Sequence, residues 1–425
     1  MNISKKHAKQ AFVLLLMGVF WSPRAFAIEG QVFPQEVMSE MLPHPVKKTG
    51  SASPPYHEKK KETNNLSVLT MVVSGLGCTC ARFGDDMRNV LNDLRPGGLR
   101  ILPVLGNGGL QNADDILFLK GIDMGVVEED NLRLMKQKNP RLYAGIENHI
   151  QYITKLYNSE FHVLARNDIK NFDDLRGKKV NFNLAKSQSE ATAEVIFDAL
   201  KIEVQKTNFD NDRAIEKLKN GDIAAMIILS GAPQAVLAKV KKEDGAHFLP
   251  LDQESLPNHD LSAIDAAYLP SVLTHELYPN LIPEGESVPT VANRALLATF
   301  ASPENSPRYK KLAKFVQKFF DNIDEFHDSA RHPKWKEINL AAQIPGWTRF
   351  KPAAQWLAAH QNASAPQTSS PLPDLPPELK PAFERFMRNH EATAHQQVLT
   401  ANDQEKLFRE FMGYVETQKL TPPAQ

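Results

Sequence analysis

Residues 67–94 read SVLTMVVSGLGCTCARFGDDMRNVLNDL. The first seven, Ser67–Val73, form a short apolar, β-branched run bounded by Gly75 and Gly77, the pattern of a buried strand and its turn. From Ala81 to Leu94 the period changes. Phe83, Met87, Val90, Leu91 and Leu94 fall on one helical face. Leu99–Leu105 reads as the next strand, Ala113–Lys120 as a helix and Met124–Val127 as a strand. The order repeats through Val180–Phe182, Ala191–Leu200, Ala214–Leu218, Ile223–Leu229, Pro233–Val240 and Phe248–Leu251. Short apolar runs alternating with helices predict an α/β fold of βα units with buried, mainly parallel sheets. Such sheets take ligands at the carboxyl ends of strands, where loops meet helix N-termini. Functional residues are therefore expected in the βα turns.

Three turns stand out. Ser74 to Arg82 combines Gly75 and Gly77, which let a ligand approach the backbone, with the Thr79 hydroxyl and the Arg82 fork. Leu105 to Asn112 begins like a dinucleotide fingerprint at Gly106-x-Gly108. Gln111 stands where the third glycine belongs, which argues against NAD. Ala185 to Glu190 opens a helix with Lys186, Ser187, Gln188 and Ser189. Anion-friendly turns from separate parts of a chain suggest a carboxylate held between lobes.

Other chemistries find no support. The chain has no GxxxxGK[ST], HExxH, GxSxG or calcium-loop pattern. Its 13 histidines are scattered; His327 and His332 are five apart and lack partners at ligand spacing. No catalytic residue, metal or cofactor is expected. The only cysteines, Cys78 and Cys80, exclude a disulfide-dense scaffold and a four-cysteine zinc site. One residue between them is too few for a CxxC redox motif. A strained disulfide, a soft-metal pair and two small pocket-lining side chains are the readings, and the last is preferred.

The 425 residues carry 50 basic and 50 acidic side chains. Nucleic-acid binders usually show a basic excess, so that class is disfavoured. The balance also describes a precursor. Lys5, Lys6 and Lys9 precede the apolar run Ala11–Phe20, and Ala25-Phe26-Ala27 follows, the pattern of a signal peptide cut after Ala27. A membrane anchor needs about 20 apolar residues, and Pro23 and Arg24 end this run early. Cutting there removes four basic residues and no acid, leaving a net charge of −4. A periplasmic, water-soluble monomer is expected.

Residues 28–64, with several prolines and Lys59-Lys60-Lys61, read as a tether. Residues 359–377 read as a second linker, and 378–425 as a helical tail with two amphipathic stretches, around Phe383 and Phe411. The tail packs on the body or docks a partner.

Between Val68 and Trp356 the sequence resembles the TAXI family, the solute-binding subunits of TRAP transporters. The family's glycine-rich turn with Thr-Tyr-Tyr-Pro-Leu-Gly is matched at Gly77, Thr79 and Gly84, while Cys80, Ala81 and Arg82 replace the aromatics and the proline. Gly108 and Asn112 keep its Gly-Ser-x-Glu-Asn-Leu turn, and Val127-Glu128-Glu129-Asp130 its Val-Gln-x-Asp segment. Leu156-Tyr157…His162, Leu175-Arg176-Gly177-Lys178-Lys179-Val180, Ser187 with Glu190, Gly231-x-Pro233, Leu249-Pro250-Leu251-Asp252 and Val288-Pro289-Thr290-Val291 also fit.

The resemblance implies a type II periplasmic binding protein, not an enzyme. It places lobe one at 65–161 with 291–358, lobe two at 162–290, and a hinge between them. The implied ligand is a small carboxylate or amino acid, glutamate-like, handed to a TRAP permease. The departures suggest Arg82 or Lys186 for a carboxylate and Glu128 for an ammonium group. Alternatively, Glu128 forms a salt bridge with one of those cations. Tyr157 either lines the cleft or sits in the core. The second functional class is a sensor signalling through the tail. A thiol enzyme using Cys78 or Cys80 is the third.

Overall fold

In the computed structural model the described residues are 26–28, 31–33 and 55–361. Residues 1–25, most of the expected signal peptide, and 362–425, which hold most of the expected second linker and the whole expected tail, lie outside them. Phe26–Ile28 and Gln31–Phe33 form a small antiparallel pair. Helix α1 (Pro55–Ser67) occupies the end of the stretch read as a tether. Among the described residues no helix is long and apolar enough to cross a membrane.

From Val68 onward the chain is α/β. Three parallel strands come first: β1 (Val68–Val73), β2 (Arg100–Leu105) and β3 (Met124–Glu128), paired in the order β2-β1-β3. Helices α2 (Thr79–Leu91), α3 (Gly109–Phe118) and α4 (Asn131–Lys138) follow them in turn. A second parallel set has β5 (Lys179–Asn181), β6 (Gln205–Thr207) and β7 (Ala225–Ser230), in the order β7-β5-β6. Its helices are α5 (Gln188–Leu200) and α6 (Asn211–Lys219).

Two long strands join the sets. β4 (Ile150–Arg166) pairs with β7 from Glu160 onward. β8 (Ala246–Phe248) lies on the end of β4, and β9 (Leu269–Thr274), after the short α7 (Ser262–Ala267), on the start of β10. β10 (Ser287–Phe300) runs antiparallel to β4 and meets β3 at Ala295–Thr299. The sheet therefore changes partners between Tyr157 and Glu160 on one strand, and between Ala292 and Ala295 on the other. Two extended strands crossing between two βα sets make two lobes and a hinge.

Each lobe has its own core. In the first, α8 (Pro307–Asp321) begins with Ser306 capping Tyr309 N and a proline in its first turn. It buries Leu312, Phe315, Val316, Phe319 and Phe320, an i, i+3, i+4, i+7, i+8 stripe. Phe83 of α2 stacks on Trp335 at 3.9 Å between centroids. Helix α9 (Lys351–Gln361) closes this lobe. The second core gathers Phe161, Phe172, Val180, Phe197 and Ile227.

Three local readings change. The helix read to Leu94 ends at Leu91, and Leu94 is exposed beyond it. Pro233–Val240 is not a full helical unit; only a 3₁₀ turn, Leu237–Lys239, forms. The Gln234 Oε1 accepts from the N–H groups of Val236 and Leu237, so a side chain takes bonds a helix would need. Phe248–Leu251 is strand only up to Phe248.

Candidate functional site

The carboxyl ends of both parallel sets face one cavity of about 410 Å³. The turns after β1, β2, β5, β6 and β7 all contribute to it, together with Glu128 at the end of β3. The starts of α2, α3, α5 and α6 border it, so positive helix ends surround the space. Gly108 and Gly109 have positive φ, +84° and +50°. A Cβ on Gly109 would lie 2.5 Å from the Gln188 Oε1, so only glycine lets α3 and α5 approach this closely.

The lobes are bonded across the gap. The Thr79 hydroxyl donates to Gly231 O at 2.7 Å, and the Gln234 amide donates to Gly77 O at 2.6 Å. The Gln188 amide donates to Asp130 Oδ1 at 2.9 Å and accepts from the Asn131 amide at 2.6 Å. The structure is a closed one.

Eight of the thirteen residues expected at a ligand line the cavity: Gly77, Cys80, Gly108, Asn112, Glu128, Ser187, Gln188 and Ser189. Several are engaged structurally. Asn112 ties Gly108 N to Val126 O, Ser187 caps α5, and Ser189 accepts from Leu229 N. The other five do not line it. Thr79 and Gly231 form the latch. Tyr157 is in the first core, its ring 4.5 Å from Phe83. Lys186 is exposed, in the left-handed region, with its backbone N–H on Glu190. Arg82 turns to the other side of α2, where its Nε is 3.4 Å from Asp86 and an Nη donates to Ala330 O. Two residues along the helix put Arg82 on the side opposite Cys80. The expected carboxylate contacts of Arg82 and Lys186 are thus not made in this cavity.

Ser74 and Asn107, inside the first two turns singled out, also line it, while Asn183, Asn211, Ser230 and Gln234 were missed in the sequence. Most are Ser, Asn or Gln just past a strand end, a position that could have flagged them.

Charge is the informative feature. Among the described residues the lining includes Glu128, Asp210 and Asp212 but no Lys, Arg or His. Asp210 caps α6. Glu128 is buried, and its Oε2 has no hydrogen-bond partner among the described residues. Burial, then the neighbouring charges of Asp130 and Cys78, push its carboxyl well above the usual range. No ion pair to Arg82 or Lys186 forms. Cys78 and Cys80 are free thiols on the same wall. Among the described residues no group of three or more His, Cys, Asp or Glu is placed to hold a metal.

A family profile described as NMT1-like matches residues 103–347. No curated protein matches the sequence. Solved structures do. The periplasmic aliphatic sulphonate binding protein SsuA from Escherichia coli is 13% identical, over 69% of this chain and 78% of that one, with a TM-score of 0.35. The ligand binding component of an ABC-type import system from Staphylococcus aureus, with zinc bound, is 10% identical, over 70% and 92%, at 0.38. The VFT2 domain of BvgS from Bordetella pertussis is 11% identical, over 67% and 98%, at 0.36. The profile match spans more than half of the residues, and the chain belongs to the NMT1-like family.

Proposed function

We propose that this protein is an exported, non-enzymatic receptor that closes two lobes on a small zwitterionic solute, an amino acid or similar amino-bearing carboxylate. The observation that carries the reading is Glu128: among the described residues, a buried carboxylate with an unpartnered oxygen, in an inter-lobe cavity that no cationic side chain lines. A buried acceptor left unpaired is costly, and a ligand ammonium group supplies the missing donors. The ligand carboxylate meets the helix starts, which favour negative charge. Closure is favoured by a ligand that both lobes touch. The TAXI resemblance supports delivery of the solute to a TRAP-type permease.

The test is calorimetry with glutamate, glutamine, succinate and 2-oxoglutarate, guided by native mass spectrometry of the protein purified without added solute. An amine-bearing solute should bind, and Glu128→Gln should weaken it at least 30-fold, because removing one member of a buried charge pair costs about 2–5 kcal/mol. A co-purified solute without an amine, or equal affinity in the variant, overturns the reading. Uptake through a reconstituted TRAP permease that does not depend on added receptor overturns the delivery step.

A further inference from the structure

A second cavity, also of about 410 Å³, lies on the opposite side of the Leu76–Cys78 wall. The first lobe contributes Arg82, Arg331 and His332 to it; the second contributes Pro233, Ala235 and Ala238. Its charge is the reverse of the cleft's. Arg82 Nε and Arg331 Nη1 both lie 3.4 Å from the same oxygen, Asp86 Oδ1. Asp86 is fully buried and also accepts from Trp335 Nε1 at 2.9 Å and His332 N at 3.3 Å. The nearby Asp85 is 3.9 Å from Arg82 but is held by Arg88 at 2.6 Å. Two guanidinium groups thus share one saturated carboxylate. Moreover, Arg331 Nε is buried without an acceptor among the described residues. Burying an unpaired donor is costly unless an acceptor arrives.

We propose that this cavity is a separate anion site for a small carboxylate with a short apolar tail, assembled when the lobes close. The arginines supply fork-shaped donors for the carboxylate. Pro233, Ala235 and Ala238 provide an apolar wall for the tail. Because the walls come from both lobes, the anion binds the closed form better than an open one, and by linkage it favours closure. The site does not depend on what the cleft takes.

The probe is butyrate, titrated by calorimetry at low ionic strength with X-ray scattering alongside. Saturable binding with a smaller radius of gyration is expected. Arg331→Gln should weaken it about tenfold or more, by loss of charge-assisted hydrogen bonds. Ala235→Trp, which fills the cavity from an exposed position and removes no ion pair, should abolish it. Glu128→Gln should leave it unchanged. Should Arg331→Gln fail to fold, Ala235→Trp decides alone. No saturable binding, undiminished binding in Ala235→Trp, or loss in Glu128→Gln overturns the site. Binding without compaction overturns its link to closure.

Discussion

The two cavities share the wall Leu76–Cys78 and carry opposite charge. On one side stand Glu128, Asp210 and Asp212; on the other, Arg82 and Arg331. The difference originates in a single turn of helix. Cys80, in the first turn of α2, lines the cleft, while Arg82, two residues on and so on the far side of the helix, points out toward Asp86. A motif whose residues are neighbours in sequence is divided between two surfaces by the helical period. A contiguous anion-binding reading of the turn therefore assigns the arginine to the wrong cavity. Net charge is equally blind to it, since it sums over both sides.

The comparison is broken hardest at its two buried acids. Asp86 has four donors around it, whereas Glu128 has an oxygen with none. Asp86→Ala leaves two guanidinium groups and the Trp335 indole N–H without their acceptor, and should destabilise the protein by about 3–5 kcal/mol. Glu128→Gln relieves an unpaired carboxylate and should leave the empty protein as stable or more so. Urea unfolding of both variants is the measurement. Similar losses in the two would mean that the acids play one role, and the contrast would fall.

A smaller effect separates the cavities by pH. Burial raises the Glu128 carboxyl in the folded state, so on raising pH the unfolded chain loses its proton first. Its stabilising contribution is complete below the ordinary carboxyl range and is lost as pH climbs to the raised value. His332 runs the other way. It faces Asp86, Arg82 and Lys334, and burial pushes it down to about 4. On lowering pH the unfolded imidazole gains its proton first, near about 6.5. Stability present above that pH falls on the way to about 4, by an amount on the order of 3 kcal/mol. His162, also held at about 4 in the second lobe, adds to the same acid-side loss. Unfolding followed from pH 4 to 8 should show a shallower decline on the alkaline side for Glu128→Gln. For His332→Gln the acid-side decline should be shallower. Identical profiles in the two variants would remove the distinction. Amine binding in the cleft should also strengthen as pH rises through the Glu128 transition, because the ammonium group favours the ionised carboxylate.

Much of this was legible in the sequence, for local reasons. The strand-turn-helix order is written in period and length, and the turns it sets at strand ends are the ones that border the cavity. Glu128 stood out only through the resemblance, as an acid where the Val-Gln-x-Asp segment has a neutral Gln. The hinge strand β4 lacks a two-residue alternation because it is buried on both faces for most of its length. Its Glu160 is paired with Lys334 at 2.5 Å, a partner 174 residues away, so nothing nearby announces it. The direction of Arg82 depends likewise on Ala330 O, 248 residues on. Local pattern can name a side chain, but the face it takes is decided by such distant acceptors.

The finest test uses the shared wall itself. Cys78 is half-buried and Cys80 buried. The Cys80 thiol donates toward Cys78 and holds it below the ordinary thiol range, helped by the Cys80 N–H at 3.3 Å. Burial drives Cys80 up. Thiolate is the reacting form, so iodoacetamide should label Cys78 in the native protein and Cys80 only on unfolding. Cys78→Ala, a small change at a partly open site, should cost less than about 1 kcal/mol. A saturating cleft solute should slow labelling, because Cys78 lines the space it fills. Butyrate should slow it as well, because the same residue borders the second cavity. Protection by the solute with none from butyrate would assign the thiol to the cleft side alone and separate the two cavities at their common wall.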